Sequence, residues 1–151
     1  MNESGFAVEP AGRERGVIVS VSVAQESARV VERWVEAFNA RDLEGMLECL
    51  AKDVEFHPLR LGGLSGCHRG HDSVREWFAN LRRARYDHHI VVSETRDLGA
   101  GRVVASGSLC FAEEHEVGSF CAVHRISERL IVAAHHYLTD ANMIERLGLI
   151  P

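Results

Sequence analysis

The four cysteines of this 151-residue chain, Cys49, Cys67, Cys110 and Cys121, form no CxxC pair. Without paired cysteines a zinc knuckle is not expected, and the thiols read as reduced and mostly buried. Long apolar runs are missing too: Val17 to Val23 is far shorter than the roughly 20 residues that cross a bilayer. Residues 1–16 have no basic stretch leading into an apolar one, so no signal peptide is expected. Positive charge is in deficit, with 17 Lys and Arg against 22 Asp and Glu and a net charge of −5. A phosphate backbone would find no basic field. The tight cluster Arg82, Arg83 and Arg85 suits the last turn of a helix, where cations oppose the dipole. No internal repeat appears. These absences point to a cytoplasmic protein with neither nucleic acid nor membrane as partner.

What is present is a change of period halfway along one domain. Residues 1–23 read as a flexible leader in which VIVSVSV (17–23) could form a short strand, and 24–151 as the domain proper. Ser22 and Gln25 have the spacing of a capping box, and Val30, Val31, Trp34, Val35 and Phe38 then share a helical face. Asp42 is a good N-cap for a second helix with Leu43, Met46, Leu47 and Leu50 on its apolar side. A short strand at Val54–Phe56 is stopped by Pro58, and Gly62, Gly63 and Gly66 make a loop. Ser73 and Glu76 form another capping box, before Val74, Trp77, Phe78 and Leu81. From His88 the pattern is extended. Four strands are predicted, at His88–Arg96, Arg102–Ala112, Gly118–Ser127 and Leu130–Leu138, with a tight turn at Glu128-Arg129. Short connections make them antiparallel neighbours. A last helical turn is predicted at Asn142–Leu147. The class is therefore α+β: a curved, mostly antiparallel sheet wrapped around three helices, with a pocket at its open end.

The stretches VERWVEAFNARDLEGMLECLAKDVEFHP, CHRGHDSVREWF, HHYLTD and IERLGLIP resemble the SnoaL-like branch of the nuclear transport factor 2-like superfamily, in order and spacing, over residues 24–151. The resemblance implies a cone-shaped α+β barrel and a homodimer formed through the sheet. It implies little about activity, because the family holds isomerases, polyketide cyclases, epoxide hydrolases, dehydratases and non-catalytic modules. The catalytic positions of its ketosteroid isomerases fall here on Trp34, His57 and Ala122, which removes the phenol and the second acid of that mechanism. The Asp-Arg-Asp set of its epoxide hydrolases has no counterpart either, since no aspartate lies between Arg102 and Leu138.

Imidazoles stand where pocket acids would. His57 occupies the family's base position. On the third long strand Phe120, Ala122 and His124 share a face, and on the last strand Ala133, His135 and Tyr137 do. The resemblance implies that both sets point inward toward Trp34. His57, His124 and His135 are thus the catalytic candidates for moving a proton beside a carbonyl, since a neutral imidazole both removes and returns one near pH 7. Trp34, Phe38, Leu59, Phe78, Phe120, Ala122 and Tyr137 would hold an apolar small-molecule ligand. Each histidine also has a plainer reading as a hydrogen-bonded core group. His68, His71, His88 and His89 read as surface or capping residues. No H-x-H spacing supports a metal on His57, His124 and His135, and neither metal nor cofactor is expected. The expectation is a cofactor-free isomerase, cyclase or dehydratase, or else a non-catalytic ligand-binding or dimerisation module.

Overall fold

Asp42 does what its position predicts: its Oδ1 accepts from the Gly45 amide at 3.1 Å and starts α2, Leu43–Glu48. The computed structural model describes residues 12–59, 66–111 and 115–139. Before α2 runs α1, Gly12–Asn39. Residues 17–23 are therefore helical, not a strand. Valine and serine cost only a few tenths of a kcal/mol in a helix, and extending a formed helix needs no new nucleus. The capping box predicted at Ser22 falls inside α1, so no helix starts there. None starts at Ser73 either, because α3, Gly70–Arg83, starts three residues earlier, after Arg69. Gly70 takes φ +81°, with Lys52 O 3.3 Å from where a Cβ would stand. The Ser73 hydroxyl instead bonds His68 Nδ1 at 3.1 Å.

Six strands follow the helices or lie between them: β1 Leu50–His57, β2 His68–Arg69, β3 His89–Gly99, β4 Arg102–Phe111, β5 His115–Ser127 and β6 Leu130–Leu138. They form one sheet in the order β2-β1-β6-β5-β4-β3, in which only β1 and β6 run parallel. β2 and β3 are its two edges, so the sheet is open and not a closed barrel. The β3–β4 turn places Gly99, Ala100 and Gly101 at positive φ, and the β5–β6 turn does so at Glu128 and Arg129, as tight antiparallel turns require. The glycines at 62 and 63 and the predicted turn at Asn142–Leu147 lie outside the described residues. Among the described residues, no helix is long and apolar enough to cross a membrane.

The helices lay their apolar stripes on one face of this sheet. Val30, Val31, Trp34 and Phe38 of α1, Met46 and Leu47 of α2, and Val74, Trp77, Phe78 and Leu81 of α3 are all buried there. Each such side chain contributes roughly 1.5–3 kcal/mol relative to exposure. Two polar ties fix α1 to the start of β3. The Asn39 amide donates to Ile90 O at 2.8 Å and accepts from Ile90 N at 2.9 Å, as a strand neighbour would. Arg41 donates to Phe38 O, Tyr86 O and His88 O at 2.7–2.9 Å while lying over the Phe38 ring.

One register detail decides the site. On β5, Arg125 pairs with Ala133 and Ile126 with Ile131, so Val132 of β6 is an extra residue, a β-bulge. A bulge reverses which residues face inward beyond it. Ile131 faces the helices, and past the bulge Ala134 and His136 do so, while Ala133, although only 4 % exposed, is turned to the other face.

Candidate functional site

Cross-strand partners share a sheet face. His124 pairs with Ala134, Ala122 with His136, and Phe120 with Leu138. Phe120, Ala122 and His124 do point toward the helices, all 3 % exposed or less. The other expected set does not. Ala133, His135 and Tyr137 pair with Arg125, Val123 and Cys121 and occupy the opposite, outer face, where Tyr137 is 51 % exposed. His57 pairs with His135 and is on that outer face too. The three histidines singled out in the sequence are therefore not brought together: the sheet lies between His124 and the other two.

Under the helices is a cavity lined by aromatic and aliphatic groups, with Trp34, Phe38, Phe56, Trp77, His88 and His136 around it and Leu59 at its wall. Its empty volume is about 330 Å³ counted out to the mouth, but the space open to the centre of a water molecule is about 20 Å³. Of the predicted ligand contacts, Trp34, Phe38 and Leu59 line it. Phe78, Phe120 and Ala122 are core residues behind its lining, and Tyr137 is outside.

His136 is the residue that strand alternation missed, because the bulge turns it inward in place of His135. Its ring packs against Trp34 and Phe56 at 5.5 Å and edge-on to His124 at 5.8 Å. Its Nδ1–H donates to the backbone oxygen of His57 at 2.9 Å. A carbonyl only accepts, so the proton is on Nδ1 and Nε2 is left basic. Part of the ring's surface faces the cavity, yet protein surrounds it, and burial lowers its pKa to about 4. His124, 2 % exposed, is lowered to about 3, first by burial and then by His136. His88, read from the sequence as a surface residue, is also 2 % exposed. Burial, then the Arg41 charge, lowers it to about 3. All three are neutral imidazoles at neutral pH. Trp34 Nε1, His88 Nδ1 and His124 Nδ1 are buried with no hydrogen-bond partner among the described residues. Such atoms are costly to leave unpaired.

The outer face carries its own polar group. Glu55 Oε2 accepts from His57 Nε2 at 2.8 Å and lies 3.8 Å from His135 Nε2, while Oε1 faces Arg69 Nη2 at 3.3 Å. The two imidazoles stack with centroids 4.0 Å apart. The His57 hydrogen bond, then Arg69, holds the Glu55 carboxyl below its usual range.

An open, mostly antiparallel sheet backed by three helices over an aromatic cavity defines a small α+β domain. Residues 31–134 match the family model described as a SnoaL-like domain, and the chain belongs to that family, within the nuclear transport factor 2-like superfamily. No curated protein matches the chain. Among solved structures, a protein of unknown function from Burkholderia pseudomallei described as NTF2-like is 26 % identical, over 80 % of this chain and 95 % of its own, with a TM-score of 0.66. TerC, co-crystallised with polyporic acid, is 19 % identical over 83 % and 99 % of the two chains, at 0.69. A putative ketosteroid isomerase from Kribbella flavida is 15 % identical over 78 % and 81 %, at 0.61. The last two likenesses are of fold alone.

Proposed function

We propose that the chain is a small-molecule-binding SnoaL-like protein that performs histidine acid–base chemistry, an isomerisation, cyclisation or dehydration, on an apolar carbonyl compound. The reading takes the sheet as wrapping the helices into a cone, with the aromatic cavity at its open end. It takes the working unit as a homodimer through the outer sheet face, in the cytoplasm. The observation that carries it is His136: a half-buried, neutral imidazole in an apolar wall, its tautomer set by the His57 carbonyl. The base is thus assigned to His136, with His124 packed behind it, in place of His57. A pKa near 4 makes a weak base toward water, but an enolate formed beside the ring would favour its protonated form and restore basicity. The unpaired Trp34 indole N–H supplies a donor at the lining. Solved structures named as a putative ketosteroid isomerase and a putative polyketide cyclase share the fold, which supports carbonyl chemistry. The test is a panel of cyclic enones and hydroxyquinones, read by quenching of Trp34 and Trp77 fluorescence and then by turnover. His136→Gln is expected to lower kcat by at least ~100-fold with a smaller change in KM. Unchanged turnover in that variant would sink the assignment.

The tightness of the cavity favours a second reading, a non-catalytic binding or dimerisation module whose pocket its own side chains fill. Quenching and a thermal shift by none of the panel would select it.

A further inference from the structure

The outer-face cluster has a use that the pocket does not require. His57 and His135 are register partners on the parallel pair β1 and β6, and Glu55 is two residues before His57 on the same face. These three side chains place one ligand atom each within 4.8 Å of one another. We propose that Glu55, His57 and His135 form a binding site for a divalent transition-metal ion of the zinc class.

The chemistry and spacing fit. Zinc takes imidazole nitrogen and carboxylate oxygen at ~2.1 Å, and three such ligands at tetrahedral angles lie roughly 3.4 Å apart. The observed Glu55–His57 and Glu55–His135 separations of 2.8 and 3.8 Å bracket that value. Only one carboxylate oxygen is engaged by the imidazoles. The other faces Arg69, which holds the carboxylate so that Oε2 is presented to both rings, the part an outer-shell partner plays around a metal. The rings are stacked with 15° between their planes. Both Nε2 atoms converge on one metal only if the rings splay by a modest rotation. Side-chain exposure of 32–36 % in the single chain leaves room for that, and a dimer through the outer face would have to leave these three side chains uncovered. Two imidazoles select against magnesium and calcium, which prefer oxygen. Three protein ligands leave the fourth position of a tetrahedral ion for water or another donor. The site is back to back with the pocket, since the His57 peptide that carries one ligand also accepts the His136 proton.

The test is titration of the full chain, in its native oligomer, with zinc chloride by calorimetry and with cobalt(II) by absorption. One ion per chain is expected, with a visible cobalt spectrum of tetrahedral intensity, and with no competition from excess magnesium. His57→Ala, His135→Ala and the isosteric Glu55→Gln should each weaken binding at least ~10-fold, because even outer-shell changes around a metal cost that much. His89→Ala should not. Circular dichroism of each variant, all at half-exposed positions, confirms that the fold is kept. Absence of zinc binding at 100-fold excess, or binding that survives both histidine substitutions, overturns the proposal. Neither outcome bears on the pocket reading, which His136→Gln tests.

Discussion

His135 and His136 are neighbours in the chain and opposites in the structure. His136 is packed among Trp34, Phe56 and His124, donates to a backbone carbonyl and is kept neutral by burial. His135, on the other side of the same strand, stacks on His57 beside a carboxylate, near the surface. The residue type is the same; the face of the sheet decides between an imidazole packed among aromatic rings and one set beside a carboxylate at the surface. The parallel neighbour β1 repeats the contrast, with Phe56 at 1 % exposed inside and His57 half-exposed outside.

That contrast can be broken by substitutions on adjacent residues. Phe56→Ala opens a cavity against Trp34, Trp77 and His136 and should cost ~3–5 kcal/mol in denaturant unfolding. A loss near zero would mean that the inner face is not the packed one.

A pH titration sharpens the comparison. His88, His124 and His136 have folded pKa values of about 3, about 3 and about 4, against 6.5 ordinarily. In that window the unfolded chain binds more protons than the folded one. Stability is therefore full above pH 6.5 and falls as the pH drops toward 4, by up to ~1.4 kcal/mol per unit for each histidine. His136→Gln, which cannot charge, should make the slope shallower by up to that amount, while His135→Gln should change it far less. Equal slopes in the two variants would contradict the assignment of faces.

Smaller effects complete the series. Asn39→Ala removes both bonds to Ile90 and should cost about 1–3 kcal/mol, visible as faster hydrogen exchange at Ile90. His57→Ala should cost less than about 1 kcal/mol, because its hydrogen bond to Glu55 is half-exposed and its link to His136 runs through the backbone. A larger loss would show that the outer cluster is part of the core.

Much of the fold was legible because apolar periodicity is dictated by packing. Leu130–Leu138 is a strand with the bounds its pattern predicts, Asp42 caps α2, and Val74, Trp77, Phe78 and Leu81 are buried together. The errors have local causes. Capping boxes at Ser22 and Ser73 are short-range preferences, overridden by a helix that continues and by one that starts earlier. The site was legible only in part. Trp34, Phe38 and Leu59 follow from their segments, but a one-residue bulge at Val132 leaves no mark in an all-apolar run such as Leu-Ile-Val-Ala-Ala. Counting by twos through it assigns the wrong histidine. His88 was misread for another reason: its burial comes from Phe38 and Phe111, both distant in sequence, closing around it together with the nearby Tyr86.

The open sheet has one more consequence, at β3. A strand with a single hydrogen-bonded neighbour is a template on which a stray polypeptide can add, and β3 is long and shows Val91 and Leu98 to water. Two bulges, at Ser93 and Leu98, and the exposed ion pair of Glu94 with Arg96 roughen and charge that margin. Neutralising those two side chains should leave folding intact yet make concentrated samples prone to fibrillar self-association, a liability kept in check by a few exposed charges.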